Sequence, residues 1–430
     1  MFMRPLLHFT AQKNWINDPN GIIYYNGTYH IFYQHFPYEC HWGTMHWGHA
    51  TTNDFIHFTH HPIALYPSKV YDQNGCFSGS SILYKNQLYV YYTAIQYKSL
   101  NKDNIHIRNA EDDTYATQAL ITSADGYHFD NTNNKQLIIQ GDLASRDPKA
   151  WINKNGEVCL IIGSSIHHIP TALFYKSSDG IHFEEINRYQ DSSLGTMWEC
   201  PDVFKINQQH FLMICPENIF SAPKPNCAAI VIPISFNEDN CQVSNPKPYQ
   251  IMDYGLDFYA PHIFKDENNQ LTLLAWMRMR QPFENEKWVG MFCMPRILTE
   301  KNGHLYQDIH PIIKQHFHLS KDSLSLNEPF KLEISLKEND SINLGHFIIK
   351  YENDSLICDR TKVSIQHPKV CNINTSPKLD KQCHLEIYYD YGIFEIVINQ
   401  GQYMISQIVY NLDLNEISLP NQNYIYYKSK

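Results

Sequence analysis

Three acidic residues stand one or two positions before a proline: Asp18-Pro19, Asp147-Pro148 and Glu199-Cys200-Pro201. Carboxylates brought into one cleft suit glycoside hydrolysis. One attacks or activates water, and another protonates the departing oxygen. The attacker must stay ionised while the acid keeps its proton, and crowding of like charges raises at least one pKa. A third acid can hold sugar hydroxyls and stabilise developing positive charge. A single Asp-Pro is an ordinary turn dipeptide. Three acids in equivalent register point to a site instead. The aromatic content of 13% agrees, because sugars offer apolar faces to Trp and Tyr.

The register comes from an internal repeat. Pro19, Pro148, Pro201 and Pro261 each open an apolar run, a polar Asn-containing turn about seven residues later, and a second apolar run. Gly79 opens a fifth copy, which turns at Asn86-Gln87. Asn-Gly between β-rich runs, as at Asn26-Gly27, is a strong hairpin signal. Asp54, Asp125 and Asp179 each precede a His-Phe pair by three residues, a turn that would complete a four-stranded unit. Five such units predict an all-β, five-bladed β-propeller, against the plainer alternative of a sandwich with regular hairpins. The first strand of each blade lines the channel, so the three acids would meet at one mouth. Beyond residue 310 the units stop and alternating apolar and polar runs continue. This predicts a propeller catalytic domain over 1–315 and a C-terminal β-sandwich over 316–430.

Composition narrows the function further. The 430 residues carry 34 basic and 44 acidic side chains, a net charge of −10. This excludes a basic nucleic-acid footprint and gives no reason to seek anionic membranes. The longest apolar run is about nine residues, too short to span a bilayer. The N-terminus has no signal-peptide pattern. The 11 cysteines, an odd number without a Cys-x-x-Cys pair, read as reduced thiols. A cytoplasmic location is expected, with no metal and no cofactor. His60-His61 and His167-His168 are adjacent pairs whose side chains would point apart on a strand, so they do not suggest a metal site. Cys200, beside Glu199, reads as a packing residue that tunes that acid.

Seven segments, at 15–21, 42–50, 76–80, 145–149, 197–202, 253–261 and 294–298, resemble motifs of glycoside hydrolase family 32, the invertase or β-fructofuranosidase family. Trp15-Ile-Asn-Asp-Pro-Asn-Gly21 is similar to its signature. Cys76-Phe-Ser-Gly-Ser80, Ser145-Arg-Asp-Pro-Lys149 and Met197-Trp-Glu-Cys-Pro-Asp202 follow in order. Trp42-Gly-Thr-Met-His-Trp-Gly-His-Ala50, Asp253-Tyr-Gly-Leu-Asp-Phe-Tyr-Ala-Pro261 and Met294-Pro-Arg-Ile-Leu298 add to them. The resemblance implies a five-bladed propeller with a C-terminal sandwich, and hydrolysis with retention at the fructosyl C2. It implies Asp18 as nucleophile, Glu199 as acid/base and Asp147 as transition-state stabiliser. It further implies sugar contacts from Trp15, Asn17, Gln34, Trp42, Phe77, Ser78 and Arg146, with Tyr254 and Trp276 as further candidates. Asp257 is expected to be structural. The implied substrate is a small sugar: sucrose, sucrose 6-phosphate or a short fructan. A fructosyltransferase would use the same acids, and a non-catalytic sugar-binding propeller is the remaining class. A monomer or homodimer is expected. The segment from Cys215-Pro-Glu217 to Asn226 departs from the family and leaves the leaving-group side open.

Overall fold

The computed structural model describes residues 4–110, 113–140, 145–219, 228–365, 371–381, 383–420 and 423–430. Most of the loop running to Asn226 (220–227) therefore lies outside the described residues. The chain is almost entirely strand. No helix among the described residues is long and apolar enough to cross a membrane.

Five antiparallel sheets follow one another between residues 14 and 309. Their first strands are Asn14–Tyr25, Gly75–Tyr84, Arg146–Ile152, Met197–Ile206 and Phe258–Lys265. These are the strands opened or crossed by Pro19, Gly79, Pro148, Pro201 and Pro261. Each hydrogen-bonds to the next strand in sequence, as the hairpin signals require. Asn26 and Gly27 take φ of 50° and 83°, and Lys85 and Asn86 take 49° and 60°. Two positive-φ residues in a two-residue loop match the right-handed twist of the flanking strands. The Asp-x-x-His turns join third to fourth strands. Asp54, Asp125 and Asp179 each accept from two backbone N–H groups and bond the Nδ1 of His57, His128 and His182 at 2.6–2.7 Å.

The five first strands pack against one another in a closed order, first against second, then third, fourth and fifth, and the fifth back against the first. Residues of all five enclose a small cavity of about 30 Å³. A short strand, Trp288–Val289, between strands of the fifth sheet in sequence, pairs in parallel with Asn14 and Trp15 of the first. This ties the ring closed beside the signature segment.

A one-turn helix, Pro311–Lys314, leads to two further sheets of six and five strands. They face each other across one apolar core. Leu332, Ile334, Ile387 and Ile396 come from one sheet, and Ile342, Phe347, Ile349 and Leu356 from the other. Alternation along these strands placed one face inward, as their sequence pattern requires.

Candidate active site

Proline cannot donate to a strand ladder, so within a sheet it sits at edges and bulges. Irregularities in pairing occur between Ile16 and Pro19, Phe77 and Gly79, Glu199 and Asp202, and Tyr259 and His262, and opposite Arg146–Lys149 in the partner strand. A bulge frees a residue from the ladder and re-aims its side chain. Asp147, Cys200 and Ala260, each directly before its proline, have φ of 63°, 47° and 48°. Proline already disfavours the right-handed α region for its predecessor. The left-handed region costs a non-glycine residue roughly 1–2 kcal/mol. That strain is held where three acids are aimed inward.

Asp18, Asp147 and Glu199 share one cavity of about 350 Å³. Six of the nine expected sugar contacts line it with them: Asn17, Gln34, Trp42, Phe77, Ser78 and Arg146. Ser78 Oγ donates to Asp18 Oδ2 at 2.6 Å, and Asn17 Nδ2 to Asp18 Oδ1 at 3.1 Å. Trp15 stands behind this pair and donates from Nε1 to Asn17 Oδ1 at 2.9 Å. Trp276 packs edge-on against Trp15, 5.7 Å between centroids, and so backs the wall rather than lining it. Trp42 and Phe77 meet edge-on at 5.6 Å and give the cavity an aromatic side. Tyr254 lies elsewhere. Its ring packs at 5.5 Å on Tyr403 and joins the core of the C-terminal sheets, because its backbone N–H pairs with Met404 O. It does not line the cavity. Asp257 pairs with the buried Arg360 of the C-terminal region, a structural contact.

Asp147 is held by a relay from the second sheet. Its N–H donates to Thr93 Oγ1 at 2.9 Å, and Thr93 donates to Gln118 Oε1 at 2.9 Å. Its carboxylate accepts from the Cys200 N–H at 2.9 Å. The Cys200 thiol lies 3.6 Å from Asp147 Oδ2 and 3.9 Å from Asp18 Oδ2. It therefore bridges these two acids rather than tuning Glu199. Glu199 is fixed from both sides. Tyr259 Oη donates to Oε2 at 2.5 Å, and Arg146 Nη2 lies 3.1 Å from Oε1. Arg146 also reaches Glu217 Oε1 at 2.9 Å.

These surroundings set the charges. Burial raises the Asp18 carboxyl, the Ser78 hydrogen bond opposes it and the Glu199 charge adds to it, leaving it at about 6. Burial also raises Asp147, and repulsion from Glu199 outweighs the Arg146 charge, leaving it at about 7. Both carboxyls are thus held above the usual aspartate range, as crowding of like charges in a buried site requires. Arg146 stays protonated beside its carboxylates.

Tyr259, Thr93 and Arg108 were not singled out in the sequence, and Glu217 was noted only as part of a departing segment. Tyr259 had a signal: it stands two residues before Pro261, the place Glu199 holds before Pro201. Glu217 faces Met197 across the hairpin, a pairing visible only once the register is known.

Residues 8–308 match the family model "Glycosyl hydrolases family 32 N-terminal domain", and residues 313–426 match "Glycosyl hydrolases family 32 C terminal". Among curated relatives, a sucrose-6-phosphate hydrolase of Escherichia coli is 30% identical, covering 94% of this chain and 89% of its own. A raffinose invertase of the same organism is 34% identical over 70% of this chain and 64% of its own. The solved structure of a sucrose-6-phosphate hydrolase from Lactobacillus gasseri superposes with a TM-score of 0.87 at 20% identity, covering 99% of this chain and 93% of that one.

Proposed function

The chain belongs to glycoside hydrolase family 32, and from that premise we propose a retaining β-fructofuranosidase that cleaves sucrose 6-phosphate or sucrose. Its N-terminal domain (1–315) is read as a five-bladed propeller and its C-terminal domain (316–430) as a β-sandwich. The observation that carries the reading is the convergence of Asp18, Asp147 and Glu199 on one aromatic-walled cavity.

The Asp18 carboxylate attacks the fructosyl C2. Glu199 gives its proton to the glycosidic oxygen as that bond breaks, and glucose or its phosphate departs. Glu199 then takes a proton from water, which attacks the same carbon and releases fructose with net retention. Ser78 and Asn17 orient Asp18 for the attack. Asp147 accepts from fructosyl hydroxyls, and these bonds strengthen as positive charge develops. Tyr259 and Arg146 hold Glu199 where the leaving oxygen must lie.

The phosphorylated sugar is favoured because several relatives bear the name sucrose-6-phosphate hydrolase. A phosphorylated sugar does not cross a membrane unaided, so the enzyme is placed in the cytoplasm. Likeness to the raffinose invertase supports a second reading, in which the unphosphorylated sugar is taken. The test is fructose release from each sugar, with Asp18→Asn as blank. We expect turnover of at least one sugar and none by the variant. No fructose from either, or full activity in Asp18→Asn, overturns the assignment.

A further inference from the structure

We propose that Arg108 reads the phosphate on the leaving half of the substrate; this deepens the fructosidase reading and rests on it. The cavity lining carries four carboxylates, Asp18, Asp147, Glu199 and Glu217, against two guanidiniums, Arg146 and Arg108. Arg146 already spans Glu199 and Glu217 at 3.1 and 2.9 Å. A phosphate dianion entering this lining meets net repulsion unless a cation receives it away from the acids.

Arg108 is placed for that. Asp147, Asn17, Gln34 and Ser78 are buried and mark the closed end, with the half-buried Asp18 hydrogen-bonded to Asn17 and Ser78. An enzyme that removes a terminal fructosyl unit seats that unit at the closed end, so the leaving sugar projects toward the mouth. Arg108 is exposed yet lines the same cavity, and so stands at the mouth. Its segment is anchored two residues earlier. His106 Nδ1 bonds Thr44 Oγ1 at 2.9 Å, its ring stacks on Tyr38 at 6.0 Å, and its carbonyl accepts from Tyr97 Oη at 3.3 Å. Tyr97 lines the catalytic cavity together with Arg108. Arg108 is therefore the cation that the segment after Tyr97 brings to this cavity. Arginine matches phosphate with two parallel N–H donors, which lysine does not offer.

The test is the ratio of kcat/KM for sucrose 6-phosphate to that for sucrose, in the wild type, Arg108→Gln and Arg108→Lys. We expect a wild-type preference for the phosphorylated sugar, and a ratio reduced about 10- to 100-fold in Arg108→Gln, as for loss of a hydrogen bond between charged groups. Arg108→Lys should fall between. Product inhibition by glucose 6-phosphate should weaken in parallel, and inhibition by glucose should not. A wild type indifferent to the phosphate overturns the inference and leaves the fructosidase reading standing. An unchanged ratio in Arg108→Gln does the same. A wild type that turns over neither sugar overturns both.

Discussion

Burial and neighbouring acids work against ionisation of Asp18, whereas the attack on C2 proposed for it needs the anion. With its carboxyl raised to about 6, the anion is lost as pH falls through that value. The acid limb of kcat/KM should therefore fall away near pH 6, well above the midpoint of an ordinary aspartate; a limb near pH 4 would count against Asp18 as the nucleophile. The same shift bears on stability. A carboxyl whose folded pKa is raised stabilises the fold fully below its unfolded value of 3.8, and this contribution is lost as pH rises through about 6. At neutral pH the ionised group is thus a burden that Asp18→Asn removes. The variant should lose nearly all turnover and yet melt a few degrees higher than the wild type. A lower melting temperature would show that the Ser78 and Asn17 hydrogen bonds outweigh the burial. Glu199→Gln should lose about 10²–10⁴ in rate, and less on substrates whose leaving group needs no proton. Equal losses on good and poor leaving groups would remove Glu199 from the acid role.

The strands that carry these groups share one device, a bulge at a Pro or Gly. The second sheet uses Gly79, and its structure explains the exchange. A Cβ there would lie 2.0 Å from Tyr91 O and 2.7 Å from Tyr92 Cα. The neighbouring strand passes too close for any side chain, so glycine is required where the other sheets place proline. Gly79→Ala should force the two strands apart and carry Ser78 away from Asp18. Melting temperature and kcat should drop together, whereas Gly156→Ala, which has open space but φ of 78°, should cost stability with little change in kcat. Intact activity in Gly79→Ala would show that the strand can yield. The recurring Pro and Gly were legible because each repeat encodes its own bulge and turn locally. So were the three acids, fixed in register by those bulges. Tyr259 and Arg108 were not read out, and Glu217 only as part of a departing segment, because their partners lie across sheets or in a loop. The placement of Tyr254 was not legible for a related reason: it sits in a matching segment, but tertiary contact with Met404 and Tyr403 turns it to the C-terminal sheets.

At the scale of the molecule, the two regions are joined by a buried charged seam. His8 lies between Asp390 and Glu395, at 2.8 and 3.0 Å. Arg296 bonds Glu395 at 2.6 Å and Asp253 at 2.9 Å, and Ser406 Oγ donates to Asp253 at 2.7 Å. The N–H groups of Leu6 and Leu7 close on Asp390 at 3.0 and 2.7 Å. The N-terminal segment, the fifth sheet and the six-stranded sheet thus meet in one network. Removing one member of such a network leaves its partners buried and unpaired, which is costly. Burial opposes the charge on His8, but the hydrogen bonds it donates to Asp390 and Glu395 outweigh it and raise the imidazole to about 9. Because the folded value lies above the unfolded 6.5, protonated His8 stabilises the fold fully below pH 6.5, and that contribution disappears as pH rises through about 9. The span corresponds to about 3 kcal/mol. The melting temperature should hold steady just below pH 6.5 and decline between 6.5 and 9. His8→Gln should melt lower at pH 6 and lose most of that decline, since it has no proton to release. Because His8 is remote from the cavity, kcat near the optimum should change little in the folded variant. A His8→Gln protein that keeps the wild-type slope would place the alkaline sensitivity elsewhere and leave the seam a packing feature alone.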